Sequence, residues 1–263
     1  MARIEKTFTV KSRGVGLPDY SAPKPVGQVP VGPIHTSTDI GELAARLGSP
    51  VTYDRRGNVV FYDDFEEPFL KWRILGYVDA YGRLDSTQVK TGSQSVRLHT
   101  GDVADAAITM VKNVPILASK EIGAEVTFSI NGDDCDLLIQ CSYYEAPTLY
   151  WPFIKFNPNL GETGIYEGPD TYKKIADTPV RWEAGDRPVF HTIKVVFDAE
   201  TGLYRRLLFD HQEFDISNEV IFSSDFAGVP RALIVIRSEN RAAVGGDIWI
   251  NDFILTQNEP LNV

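Results

Sequence analysis

The sequence predicts an all-β fold: an antiparallel β-sandwich (jelly roll) with an extended N-terminal arm and one short helix. Three observations predict it. From Asn58 to Thr256 the chain is a succession of short runs, many alternating as in Val126, Phe128 and Ile130, cut by Gly, Pro and Asx turns. Such period-2 runs read as half-buried strands. This stretch opens with Asn58-Val-Val-Phe-Tyr-Asp-Asp-Phe65 and closes with Gly246-Asp-Ile-Trp-Ile-Asn-Asp-Phe-Ile-Leu-Thr256, matching segments expected to pair as first and last strands. Before it lies a segment of different texture, in which Gly and Pro recur every few residues. The expected organisation is therefore an arm over 1–36, a helix and hairpin lead-in over 37–57, the sandwich over 58–257 and a tail over 258–263.

The arm cannot build a core alone. Proline fixes φ, lacks an N–H and pushes its predecessor to extended geometry. Yet Phe8, Val10, Leu17 and Tyr20 are groups to bury, so the arm is expected to dock on another surface through them. Next, Asp39 and Glu42 have capping-box spacing, and Ile40, Leu43, Ala44 and Leu47 share one face before the Gly48 stop. That helix is too short to stand alone and must pack on something.

Within the sandwich, Phe190–Asp198 and Gly202–Asp210 form the clearest expected hairpin. Ala232–Arg237 is an almost continuous apolar run, as a central buried strand requires. Cys135 and Cys141 fall on one expected strand, where their offset puts them on one face roughly 20 Å apart. A disulfide needs Cα atoms about 4.4–6.8 Å apart, so both are expected as free core thiols.

The 263 residues carry a net charge of −10. An acidic body argues against nucleic acid as a partner, and no apolar run is long enough for a membrane helix. The arm is the exception: Arg3, Lys6, Lys11, Arg13 and Lys24 oppose only Glu5 and Asp19. A basic arm suits an acidic neighbour, including a second copy of the same chain; a solvated tail is the plain alternative. The N-terminus has no signal-peptide pattern, so folding in a cytoplasm is expected.

Phe61-Tyr-Asp-Asp-Phe-Glu66, Trp72, Thr91-Gly-Ser-Gln-Ser-Val-Arg-Leu98 and Ile248-Trp-Ile-Asn-Asp-Phe253 together resemble the concanavalin A-like jelly rolls, a group that includes laminin-G-like and many carbohydrate-binding modules. The lead-in from Glu42 to Asn58 is similar to the start of tailed-phage structural proteins that carry such a sandwich. The resemblance implies a non-catalytic virion protein, a capsid decoration or a tail or neck component, made in a host cytoplasm. Its partners would be other virion proteins or its own copies. A carbohydrate-binding module or adhesin for a cell-surface glycan is the alternative, and a glycan-cleaving enzyme the second.

Little in the sequence carries catalysis. The β-glucan-cutting members of that group place acids in a Glu-x-Asp-x-x-Glu strand, where nucleophile and acid flank the sugar bond. The nearest match, Asp210-His-Gln-Glu213-Phe-Asp215, has the wrong order and spacing and reads as a polar edge strand. No nucleophile elbow, phosphate loop or zinc spacing occurs. No cofactor is expected beyond a structural calcium, for which two acidic groups qualify: Asn131, Asp133, Asp134 and Asp136 in one turn, and Asp63, Asp64 and Asp252 where first and last strands meet. Asx clusters also simply form turns. The remaining candidate is Tyr143, Tyr144, Tyr150, Trp151 and Phe153, whose rings suit a sugar face, a partner surface or the core.

Overall fold

The computed structural model describes residues 56–77, 79–115, 119–131, 135–145, 147–169, 171–179, 189–228 and 231–260. All belong to the larger of two units, Ser37–Val263. The expected arm, with Phe8, Val10, Leu17 and Tyr20, and the expected helix lie outside the described residues, as do Asp133 and Asp134.

Every regular element among the described residues is a strand. In chain order they are β1 (Asn58–Asp63), β2 (Arg73–Gly76), β3 (Tyr81–Asp85), β4 (Ser95–His99) and β5 (Ala107–Val114). There follow β6 (Glu121–Asn131), β7 (Cys135–Glu145), β8 (Thr148–Tyr150), β9 (Phe153–Asn157), β10 (Glu162–Gly168) and β11 (Thr171–Asp177). The chain continues through β12 (His191–Asp198), β13 (Leu203–Phe209), β14 (Gln212–Asp215), β15 (Ser223–Asp225), β16 (Arg231–Asn240) and β17 (Asp247–Gln257). They build two antiparallel sheets. Sheet one runs β14-β13-β12-β6-β17-β4-β3, with β1 also on β17; sheet two runs β11-β10-β9-β7-β16-β5-β2, with β8 on β7 and β15 on β8.

Alternation decides which side chains meet between the sheets. From sheet one come Ile122, Ala124, Val126, Phe128 and Ile130 of β6 and Ile193, Val195 and Phe197 of β12, all in the core. Sheet two answers with Cys135, Leu137, Ile139, Cys141 and Tyr143 of β7 and Ala232, Ile234 and Ile236 of β16. The two cysteines are therefore free and buried on one strand face, and burial pushes both thiols up to about 12. β16 lies between β7 and β5, the central place its apolar run predicts.

First and last strands do pair, and the way they share an edge depends on a bulge. β17 lies on β6 over its whole length, but its other edge carries β4 beside Asp247–Ile250 and β1 beside Phe253–Gln257. The register slips between Ile250 and Asp252. An extra residue there changes the phase of the pleat: Ile248 and Ile250 point into the core before it, Phe253 and Leu255 after it. Asn251, at the slip, is fully buried and holds the loop above it, accepting from Lys90 N–H at 2.8 Å and donating to Thr91 Oγ1 at 3.0 Å.

Candidate functional site

Two groups of side chains face away from the core, and they differ in kind. On sheet one, the outward positions of the central strands are polar and almost fully buried: Glu125, Thr127, Ser129, Lys194 and Arg206 are each at most 2% exposed. Their chemistry is directed inward. Glu259 reaches Lys194 Nζ at 2.6 Å and also binds the Arg206 guanidinium, while Arg206 donates to the Pro260 carbonyl at 2.6 Å. Glycine is needed beneath this knot, since a Cβ at Gly123 would fall 2.6 Å from a Glu259 carboxylate oxygen.

On sheet two the outward positions near one edge are aromatic and only half-buried. Ladder pairing sets them side by side: Gln140 of β7 faces Phe153 of β9, and Tyr166 of β10 faces Tyr172 of β11. Because Ile165 pairs with Ile154, the next residues along, Tyr166 and Phe153, fall together on the outer face. The ring centroids of Phe153 and Tyr166 are 5.4 Å apart, those of Phe153 and Tyr172 5.8 Å, and those of Tyr166 and Tyr172 5.7 Å. Phe222, from the segment before β15, closes the group edge-on to Tyr166 at 5.2 Å. The rings tilt against one another, as favourable quadrupole contacts require, and so hold each other in place.

The strip is also fixed from behind. Tyr204 of β13, in the other sheet, is fully buried, accepts the Phe153 N–H at 2.9 Å and donates to its carbonyl at 3.3 Å. Burial raises the Tyr204 hydroxyl well above the ordinary phenol range, so it remains a donor. Lys155, beside the strip on β9, sits 5.0 Å over the Tyr172 ring and 2.7 Å from buried Asp136.

The five aromatic residues that sequence spacing grouped therefore separate. Tyr143 turns into the core, 1% exposed, because it shares parity with Leu137, Ile139 and Cys141. Tyr144 points the other way, edge-on to Phe226 at 5.0 Å with Arg231 4.5 Å over its ring. Tyr150 packs against the core and limits Gly202, where a Cβ would come within 2.9 Å of its ring. Trp151 is half-buried at the rim, its indole N–H donating to Ser224 Oγ at 3.3 Å. Only Phe153 lies in the strip. Tyr166, Tyr172 and Phe222 were not singled out from sequence. The first two had a signal: Gly168-Pro-Asp-Thr171 reads in the sequence as a turn, and the pairing of β10 with β11 sets them opposite each other.

The described members of the acidic groups make other contacts. Asp63 accepts from the Trp72 indole N–H at 2.9 Å and from Phe65 N–H at 3.0 Å, and Asp64 from Glu66 N–H at 3.2 Å. With Asp252 they surround the Tyr62 hydroxyl, which burial, then Asp252 and Asp64, raise far above its usual range. Asp136 joins two cations, Lys155 and, at 3.2 Å, Arg241, while Asn131 ends β6 exposed, paired with Asp247. Among the described residues no group of three or more His, Cys, Asp or Glu side chains is arranged to hold a metal ion. Glu213, in the acid-bearing edge strand, is held by Arg56 at 2.7 and 3.0 Å, and Asp215 accepts from Ser217 N–H at 2.9 Å. His191 lies between Phe128 and Phe209 with Nδ1 2.8 Å from Asp210, and His99 stacks on Tyr81 with Nδ1 2.9 Å from Asp247.

No family model matches this sequence, and no curated protein matches it. Solved structures do. An endo-β-1,4-glucuronan lyase from the fungus Trichoderma reesei superposes with a TM-score of 0.54 at 9% identity, covering 76% of this chain and 96% of its own. A carbohydrate esterase from the Shiga toxin-encoding bacteriophage phi24B gives 0.51 at 14% identity, covering 77% and 100%. At such identities the likeness establishes a shared β-sandwich fold, one also used by proteins that act on carbohydrate.

Proposed function

We propose that this protein is a non-catalytic carbohydrate-binding β-sandwich that holds a glycan against the Phe153, Tyr166 and Tyr172 strip. One observation carries the reading: three aromatic rings, contributed by three neighbouring strands, lie half-exposed in one row on the outside of sheet two. The C–H face of a sugar ring is apolar and its rim is hydroxyl; tyrosine offers both matching surfaces. The rings are already ordered by each other and by Tyr204, so binding need not immobilise them. The carbohydrate-active fold neighbours support the same reading, and the engagement of Glu213 and Asp215 elsewhere supports a binding role over a cleaving one.

The test is a glycan array with the whole protein, followed by calorimetry on the hits. Replacing both Tyr166 and Tyr172 by Ala should weaken binding by about 2 kcal/mol or more, roughly thirtyfold in Kd. An array without hits, or a double variant that binds like the parent, rejects the proposal.

A virion structural role is the second reading, favoured by the phage esterase, whose entire chain is covered by the superposition. On that reading the same rings contact a neighbouring subunit and the basic arm docks on an acidic one. The Tyr substitutions would then weaken assembly and leave every glycan interaction unchanged, and antibody labelling would place the chain on particles.

A further inference from the structure

We propose that the strip selects neutral, hydroxyl-rich glycan chains and rejects polyuronates; this rests on the strip being a glycan site. The superposition with a glucuronan lyase invites the opposite expectation, a polyanionic ligand, and the charges around the strip argue against it. An acidic sugar needs a cation that is not already satisfied. Among the described residues around these rings, Lys155, Lys173 and Lys174 are each engaged. Lys155 binds Asp136, whose other neighbour is Arg241. Lys173 meets both oxygens of Glu219 at 2.7 and 2.8 Å. Lys174 lies between Asp177, at 2.7 Å, and Glu162. The hydrogen bonds to those carboxylates raise both lysines above their ordinary range, so the pairs remain ionic through neutral and mildly alkaline pH.

What is left over among the described residues is negative. Glu167, exposed next to Tyr166 on β10, acts on Lys173 only through space, while that lysine binds Glu219 directly, and the whole chain carries −10. A polyuronate brings a carboxylate on every sugar. To bind here it would have to displace a protein carboxylate from a lysine, or lie beside one, against the repulsion of the whole chain. A neutral sugar meets neither obstacle. Its C–H face can rest on the rings, and its hydroxyls can donate to the Glu162 and Asp177 oxygens or exchange hydrogen bonds with the tyrosine hydroxyls and Gln140.

The experiment compares neutral chains (a soluble β-1,4-glucan oligomer, a xyloglucan and a galactomannan) with polygalacturonate, alginate and β-1,4-glucuronan at low and high salt, using the whole protein. Neutral chains should bind with a Kd that moves less than about twofold with salt, since no ion pair screens. Polyuronates should bind at least about tenfold more weakly at low salt and gain as salt screens the repulsion. Glu167→Gln should narrow the gap while leaving neutral binding unchanged. Tighter, salt-sensitive binding of polyuronates that Tyr172→Ala abolishes would overturn the charge argument and leave the strip as a glycan site. Binding of neither class would remove both proposals.

Discussion

The outward faces of the two sheets solve the same problem in opposite ways. Each sheet has one set of alternate side chains that cannot enter the core. On sheet one that set is polar and buried, and its charges pair: Glu259 lies between Lys194 and Arg206 at almost no exposure. On sheet two the central strand β7 keeps a buried ionic group, Asp136 with Lys155 and Arg241, but towards the β9–β11 edge the set is aromatic and half-exposed, with ion pairs such as Lys173–Glu219 and Lys174–Asp177 open to solvent. The difference teaches where function can reside. Charges already desolvated and paired are costly to disturb and contribute to a fixed structure. Half-exposed rings still have apolar surface to remove from water, at roughly 25 cal/mol per Å², and that unspent area can drive binding.

The contrast breaks first at Glu259. Glu259→Gln removes the carboxylate that Lys194 and Arg206 share, and losing one member of a buried ionic group costs about 3–5 kcal/mol. Urea unfolding of the variant should show that loss. A change under about 1 kcal/mol would put these charges in the same class as exposed pairs and erase the distinction between the faces.

A smaller effect is expected at the hairpin that joins β12 to β13 on sheet one. Asp198 accepts from Glu200 N–H at 2.8 Å, from Thr201 Oγ1 at 2.7 Å and from Arg205. Burial alone would raise its carboxyl, but the hydrogen bonds from Thr201 and Arg205 outweigh that and hold it below the ordinary range. A depressed carboxyl contributes stability that is fully present above its unfolded value of about 3.9 and disappears as pH falls through the lower, folded one. Asp198→Asn should therefore cost about 1–2 kcal/mol at neutral pH, and its unfolding curve should converge with the parent's in acid. A pH-independent difference would mean the side chain acts through shape alone.

The smallest stability effect belongs to sheet two. Tyr172→Ala removes an edge ring that nothing in the core requires, so unfolding should shift by less than about 1 kcal/mol, while glycan retention falls about tenfold or more. Should stability fall as far as it does for Glu259→Gln, the strip is structural and the comparison ends there.

Much of the fold was legible because strand signals are local. The parity of Ile122 to Ile130, the turn between Asp198 and Leu203 and the apolar run from Ala232 need only neighbouring residues to be read. The same parity would have sent Tyr143 inward, in phase with Cys141, and separated it from Tyr144. Sequence spacing groups the aromatic residues near Phe153 as a run along the chain. The strip runs across it, over β9, β10 and β11, and Phe222 arrives from a segment far away in sequence.

By itself, the sequence determined where most of the longer strands lie, which side of them is apolar, that the first and last strands resemble each other, and that two cysteines on one strand cannot bond. These follow from the fixed two-residue repeat of an extended backbone and from the distances it imposes. Tertiary structure decided the rest. A slip of one residue at Asn251 reverses which side chains of β17 face the core, and lets one edge serve β4 and then β1. The order of strands in sheet two brings Gln140, Phe153, Tyr166 and Tyr172 into a row. Glu259, two residues beyond the last strand, becomes one of the most buried charges in the molecule because Lys194 and Arg206 of other strands converge on it. Register and strand order are set by hydrogen bonds and packing between segments distant in sequence, which no local period records.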